Sequence, residues 1–221
     1  MSSFILIILY FFILFFFFLM AQLNVIGAVF AKIGIPSQYV FLALLLSLVG
    51  SFINIPIKRI PQDEMADEGS VSFYGLRYRI PLAKKSETVV AINVGGAIIP
   101  TVISIYLLSK TGLWVKGLAL TGIMVLVTHW LAKPVKGVGI AMPAFIPPLV
   151  AAVLSVIFSY DNAPVIAYIG GTLGTLIGAD ILNLDKIRDL GAPVASIGGA
   201  GTFDGIFLSG IMGVILAAIL T

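Results

Sequence analysis

The sequence predicts an all-α polytopic membrane protein, a single transmembrane domain over residues 1–221 with about seven transmembrane helices. Two observations carry this reading. Hydrophobic residues make up 60% of the chain and charged residues 10%, whereas a soluble domain carries about 25% charged residues. Apolar stretches also recur at close to the roughly 20 residues that a helix needs to cross a bilayer. The chain has no cysteine, which excludes disulfides, thiolate metal sites and a cysteine nucleophile.

The first apolar stretch, 4–30, holds a phenylalanine run with no basic residue before it and reads as an uncleaved helix. The second span, 38–57, closes on Asn54-Ile-Pro56 and the pair Lys58-Arg59. The polar segment 58–87 starts acidic and then alternates Leu76, Tyr78 and Ile80 with Arg77 and Arg79. That period of two predicts a short cytoplasmic strand or hairpin turning near Gly75, with a solvated loop as the other reading. The third span, 88–108, is interrupted by Asn93, Gly95, Gly96 and Pro100, and residues 88–93 either extend the strand or begin the helix.

The fourth span, 113–131, ends at His129-Trp130. Residues 134–148 are apolar yet rich in Gly and Pro, so a regular helix is not expected over 134–143. Irregular backbone at membrane depth is tolerated inside a protein or beside water. A re-entrant segment before the fifth span, 145–158, and an ordinary connecting loop both stay open. The sixth and seventh spans are 164–184 and 197–220.

Of the 13 Lys and Arg, 10 fall on one side of this arrangement and 3 on the other. The positive-inside rule makes the richer side cytoplasmic, which places the amino terminus in the cytoplasm and the carboxyl terminus outside.

The last two spans carry the chemistry. Each holds one carboxylate, Asp180 after Gly178 and Asp204 after Gly201, with no basic residue inside either span. An ionisable group at membrane depth is expensive, which makes it a candidate functional site. Gly170, Gly174 and Gly178 recur at every fourth position on one span; Gly201, Gly205, Ser209, Gly213 and Ala217 do so on the other. Small residues at that spacing let helix backbones approach, so the two stripes are expected to pack together and bring the carboxylates into one site. Two carboxylates in one site share a proton and can act as acid and base on water. The same pair also suits a proton or cation in a transporter. A third reading makes each aspartate a structural cap.

Asn54, Asn93, Gly95, Gly96 and His129 fall in the same cytoplasmic half and are expected to support the site; Asp161 falls at the external end. A single histidine excludes a multi-histidine metal site, and neither a metal nor a cofactor is expected. Acidic residues interleave the basic loop, which argues against nucleic acid and leaves the lipid bilayer as the partner of its lysines and arginines. A transmembrane substrate helix or a small ion is the expected ligand, and the small-residue stripes could equally serve a homo-oligomer.

Two resemblances add to this. The strings Ile177-Gly-Ala-Asp-Ile-Leu-Asn-Leu184 and Gly198-Gly-Ala-Gly-Thr-Phe-Asp-Gly-Ile-Phe207 resemble an uncharacterised family of prokaryotic multi-pass membrane proteins. More distantly, the chain is similar to intramembrane aspartyl proteases of the presenilin and signal-peptide-peptidase type. Tyr160-Asp161 matches their Tyr-Asp motif. Gly201-Thr-Phe-Asp204 matches Gly-x-Gly-Asp except for Phe203, and Pro143-Ala144-Phe145 matches Pro-Ala-Leu except for its last residue and its place in the order. This resemblance implies a carboxylate-dyad protease, and the topology pairs Asp180 with Asp204 rather than with Asp161.

Overall fold

The computed structural model describes residues 27–28, 31, 35–61, 70–73, 76–79, 87–135, 139–189, 194–199 and 205–221. The chain divides into two units, 1–45 and 46–221. Nearly all of the expected first span, 4–30, lies outside the described residues. Helix α1, Ser37–Gly50, begins in the first unit and ends in the second.

The second unit combines apolar helices with a small sheet. After α1 come strands β1 (Asn54–Pro61), β2 (Ser70–Phe73), β3 (Leu76–Arg79) and β4 (Glu87–Asn93). A π-helical turn, Val94–Ile98, leads into α2 (Ile99–Thr111), which is followed by α3 (Trp114–Leu131). Strands β5 (Lys133–Val135) and β6 (Gly139–Ala141) precede α4 (Ile146–Phe158). Helix α5 (Ala163–Thr175) continues as a π-helical segment, Leu176–Asp180, and a 3-10 segment, Ile181–Asp189. Strand β7 (Val194–Ile197) and helix α6 (Gly205–Leu220) complete the chain.

Among the described residues, three helical stretches are long and apolar enough to cross a membrane: Val94–Thr111, Trp114–Leu131 and Tyr160–Lys186. Phe41–Gly50, Ile146–Phe158 and Ser209–Leu220 are shorter apolar helices. The chain is thus a mainly helical membrane protein, with further strands besides the one short hairpin expected after the second span.

Three expected spans are shortened by those strands. The second ends at Gly50, and Asn54–Pro61 is extended. Pro56 lacks the N–H that a ladder needs, and β1 accommodates it as an edge strand with a bulge between Pro56 and Lys58. The third begins as β4, which resolves residues 88–93 as strand. The seventh begins as β7, and its helix starts at Gly205. The sheet order is β1-β4-β7, antiparallel between β1 and β4 and parallel between β4 and β7. The expected hairpin is present as β2 paired with β3 around residues 74–75. The described residues of 134–143 are not helical; β5 and β6 form a short antiparallel pair before α4.

Central strand β4 is covered on both faces, with the neighbours Val90 and Ala91 both buried. One cluster joins Ile60 of β1, Val90 of β4, Ala97 and Leu176 of the two π-helical segments, Ile197 of β7 and Ile206 of α6. The sheet is therefore fastened to the helical body at the two places where the helices depart from α geometry.

The glycine stripe of α5 faces a different helix from the expected one. A Cβ on Gly170 would strike Leu120, one on Gly174 would strike Met124, and one on Gly178 would strike Thr128 and Val125, all on α3. The Thr128 hydroxyl donates across this seam to the Gly174 carbonyl at 2.9 Å. Helix α6 packs on another face of α5, where a Cβ on Gly171 would lie 2.7 Å from the Ser209 carbonyl oxygen and one on Gly210 would lie 2.5 Å from Thr172 Oγ1. Antiparallel neighbours α5 and α6 do approach closely, as expected, but α5 uses Gly171 and not the Gly170-Gly174-Gly178 stripe.

Candidate functional site

Asp180 ends the π-helical segment and is half-buried. Its Oδ2 accepts a hydrogen bond from the Gly198 N–H at 2.7 Å. Gly198 follows the last residue of β7 and has φ of +89°, a left-handed conformation that favours glycine. A π-bulge interrupts the regular i→i−4 ladder, and such bulges concentrate at functional sites. Asp180 thus connects a broken helix to the loop that leads into α6.

That loop also carries Gly201 and Asp204, which lie outside the described residues. The start of the following helix is described. Contacts between Gly171 and Ser209, Thr172 and Gly210, and Ala167 and Gly213 establish the antiparallel register of α5 and α6. This register brings Gly205 level with about Thr175, just before the π-helical segment.

Beside Gly198, a second glycine loop closes the same end of the sheet. A Cβ on Gly96 would collide with the Gly198 carbonyl, and one on Gly198 would lie 2.6 Å from the Ala97 nitrogen. Asn93, fully buried, organises this loop: its Oδ1 accepts from the Gly96 N–H at 2.7 Å. Its Nδ2 donates to the Ser51 carbonyl at 2.6 Å and to Asn54 Oδ1 at 3.0 Å. Ser196 of β7 donates to the same Asn54 oxygen at 2.6 Å. Asn54 and Asn93 are therefore brought together, directly opposite each other in the β1–β4 register. Gly95 packs against the end of α1, where a Cβ would meet Ser47 and Ser51 backbone atoms.

On the other side of the bulge, His129 and Gly178 meet. The Gly178 carbonyl lies 3.2 Å from His129 Nδ1 and accepts from Asn183 Nδ2 at 3.0 Å. Asn183, fully buried, also donates to the Ala179 carbonyl at 2.9 Å and accepts from Lys186 Nζ at 2.7 Å. Asn183 thus ties the 3-10 segment back to the carbonyls at the end of the π-helical one.

Four candidates stand apart from this assembly. Asp161 is exposed in the 3-10 turn Tyr160–Asn162, at the opposite end of the 160–186 stretch from Asp180. Pro143 and Ala144 lie in the irregular run before α4, and Phe145 is 72% exposed at the start of that helix. The structure therefore joins Asp180, Gly178 and His129 around the bulge, and joins Asn54, Asn93, Gly95 and Gly96 to Gly198 beside it. It does not bring Asp161 or Phe145 there.

Gly198, Ser196 and Asn183 escaped the sequence reading. A signal for the first two exists. Val89-Val90-Ala91-Ile92 pairs residue for residue with Val194-Ala195-Ser196-Ile197, and a Gly-Gly-Ala follows each strand, at Gly95-Gly96-Ala97 and Gly198-Gly199-Ala200. The two parallel strands thus carry similar sequences into adjacent glycine turns.

Residues 48–216 match the model of a family described as protein of unknown function (DUF1614). No curated protein and no solved structure matches the chain.

Proposed function

We propose that this chain, which belongs to the DUF1614 family, is an intramembrane peptidase that uses Asp180 and Asp204 as a carboxylate pair. The observation that carries the reading is the 2.7 Å bond from Gly198 N–H to Asp180, because it ties one carboxylate to the foot of the loop that bears the other. It also sets Asp180 at the end of β7, the last strand in the order β1-β4-β7. An edge strand presents unpaired N–H and C=O groups, and an extended peptide can add to it as a further strand. A transmembrane helix unwound onto β7 would present its backbone beside Asp180.

The chemistry requires no cofactor. One carboxylate, ionised, takes a proton from a water molecule as the water oxygen bonds to the scissile carbonyl carbon. The other, protonated, hydrogen-bonds the carbonyl oxygen and stabilises the tetrahedral intermediate. The C–N bond then breaks, the nitrogen leaves with a proton from the pair, and the products are a carboxyl and an amine terminus. Two carboxylates at close quarters suit these opposite roles because both cannot ionise easily.

In the proposed topology seven helices cross the membrane, with the amino terminus cytoplasmic and the site in the cytoplasmic half. The test is cleavage of fluorogenic single-span substrates by the purified protein in liposomes. Cleavage that stops in both Asp180→Asn and Asp204→Asn, and that is blocked by a mimic carrying a hydroxyl in place of the scissile carbonyl, supports the reading. Full cleavage by either variant ends it.

A second reading, ion- or proton-coupled transport, is favoured by one observation. Two π-helical segments, Val94–Ile98 and Leu176–Asp180, meet in one cluster through Ala97 and Leu176. Discontinuous helices at membrane depth bind coupling ions in transporters. Flux in liposomes that depends on a proton or sodium gradient and ignores the hydroxyl mimic would select it.

A further inference from the structure

Buried hydroxyls in apolar helices ordinarily bond back to a carbonyl one turn earlier. This chain follows that habit repeatedly. Ser104 donates to Pro100 O at 2.9 Å, Thr121 to Gly117 O at 2.8 Å, Thr128 to Met124 O at 2.7 Å and Ser155 to Ala152 O at 2.7 Å. Three buried hydroxyls depart from it. Thr172 Oγ1, Thr175 Oγ1 and Ser209 Oγ bond to no carbonyl, and the one side-chain partner near them among the described residues is the Tyr168 hydroxyl beside Thr172. Thr172 and Ser209 are 0% exposed and Thr175 is 1% exposed.

The three exceptions sit on two touching helices. Thr172 and Thr175 are three apart on α5 and so share a face. Ser209 is on α6, at the crossing where Gly171 meets the Ser209 carbonyl and Gly210 meets Thr172. A Cβ on Gly210 would also come within 3.3 Å of the Tyr168 ring, so the crossing has an aromatic wall. An unsatisfied hydroxyl is costly in an apolar interior, and Thr175 and Ser209, with Thr172 only partly satisfied by Tyr168, call for a common partner. Water fits: it takes two to four hydrogen bonds and gathers at buried polar groups while apolar cavities stay dry. Leu120, Met124, Ala151 and Ile166 form a neighbouring cluster of buried apolar side chains.

We infer that the seam between α5 and α6 binds internal water at Thr172, Thr175 and Ser209, and that this water supplies the carboxylate site. The second half rests on the peptidase reading. Thr175 precedes Asp180 by five residues, about 7 Å of helix, and the start of α6 is level with it. A hydrolase within a membrane needs a route for its second substrate, and the hydroxyl seam ends at the carboxylate-bearing bulge.

The experiment is hydroxyl-radical labelling of the full chain in lipid nanodiscs by an X-ray pulse, which marks side chains next to bound water. Tyr168 is 4% exposed and Met124 0% exposed. Tyr168 is expected to be labelled well above Met124, despite the greater intrinsic reactivity of methionine. In the double variant Thr175→Val/Ser209→Ala that labelling is expected to fall several-fold, with kcat for the fluorogenic substrate falling about tenfold at unchanged KM. Tyr168 labelled no more than Met124 would mean a dry seam and overturn the inference. Lost labelling with unchanged kcat would overturn the supply role. A melting temperature raised by sodium over choline at equal ionic strength, and lost in the variant, would give the hydroxyls to a cation instead. If no substrate is cleaved, the labelling still decides the water site, so failure of the peptidase reading and failure of this inference are separate results.

Discussion

Gly96 and Gly198 meet backbone against backbone, with the space for a Gly96 Cβ already taken by the Gly198 carbonyl. This contact closes the ends of two parallel strands onto each other and sets the position of the N–H that holds Asp180. It predicts that neither residue tolerates a methyl group. Gly96→Ala must push the loops apart, and Gly198→Ala adds a side chain at φ of +89°. Each is expected to cost about 1–3 kcal/mol, measured by thermal or denaturant unfolding in detergent. Gly122→Ala is the control: nothing lies within 4 Å of its Cβ position, and removing a helical glycine should leave stability unchanged or raise it by up to about 1 kcal/mol.

The seam between α3 and α5 can be tested by rescue. A Cβ on Gly170 would lie 2.6 Å from Leu120 Cγ and 2.7 Å from its Cδ2. Gly170→Ala alone and Leu120→Ala alone should each destabilise, the first by overpacking and the second by a cavity of about 2–5 kcal/mol. Together they should cost less than the sum, because the alanine methyl enters space that the leucine vacates. Strict additivity in the unfolding free energies would place this glycine elsewhere.

Asn93 makes three hydrogen bonds, to Gly96, Ser51 and Asn54. Asn93→Ala is expected to cost about 2–4 kcal/mol, since it strands the buried Gly96 N–H and takes a donor from the Ser51 carbonyl. Asn93→Asp keeps the acceptor for Gly96 but turns the other oxygen toward Asn54 Oδ1 and the Ser51 carbonyl, so it should destabilise too. Ser196→Ala removes one bond to Asn54 and should cost about 1 kcal/mol. The order Ser196→Ala below Asn93→Ala, read from denaturant midpoints, is the outcome to check.

At Asp180 structure and chemistry separate by substitution. Asn retains an oxygen to accept from Gly198 N–H, so Asp180→Asn should change stability by less than about 1 kcal/mol while abolishing cleavage. Asp180→Leu loses the acceptor and should cost about 1–3 kcal/mol as well as activity. A fully active Asp180→Asn, or one that unfolds like Asp180→Leu, would make the carboxylate a structural cap.

The proposed topology places Ser70 and Thr221 on opposite sides of the membrane. Single cysteines at these positions, in a chain that has none of its own, should react with an impermeant reagent from opposite faces of oriented vesicles. Reaction of both from one face would remove the seven-span arrangement.

Much of the helical frame was legible because apolar length is a strong signal. Trp114–Leu131 and Ile146–Phe158 lie within one residue of the expected 113–131 and 145–158. The sheet was hidden for a physical reason. Val89-Val90-Ala91-Ile92 is a short, continuous apolar run and Val194-Ala195-Ser196-Ile197 only four residues long, and runs this short do not separate strand from helix by periodicity. In β1, Ile55 and Ile57 are exposed, so apolar residues continue past Gly50 as if the helix did. The hairpin β2–β3 was readable because its polar and apolar residues do alternate. At the site, Asp180 stood out as a carboxylate in an apolar span, whereas Gly198 acts through its backbone and carries no chemical mark. The stripe of Gly170, Gly174 and Gly178 was visible, but spacing alone does not say which neighbour it faces.

The pairing of β4 with β7 sets an order of events during synthesis. Val89 and its partner Val194 are about a hundred residues apart, with the helices α2 to α5 between them. At about 5–20 residues per second the ribosome delivers β7 some 5–20 s after β4. Until then the central strand has only β1 beside it and its other edge is open. The helices between must enter the bilayer first, so closure of the Gly96–Gly198 contact, and with it the placing of Asp180 against β7, is among the last steps of maturation. A nascent chain stalled before residue 194 would hold its membrane helices and lack the site.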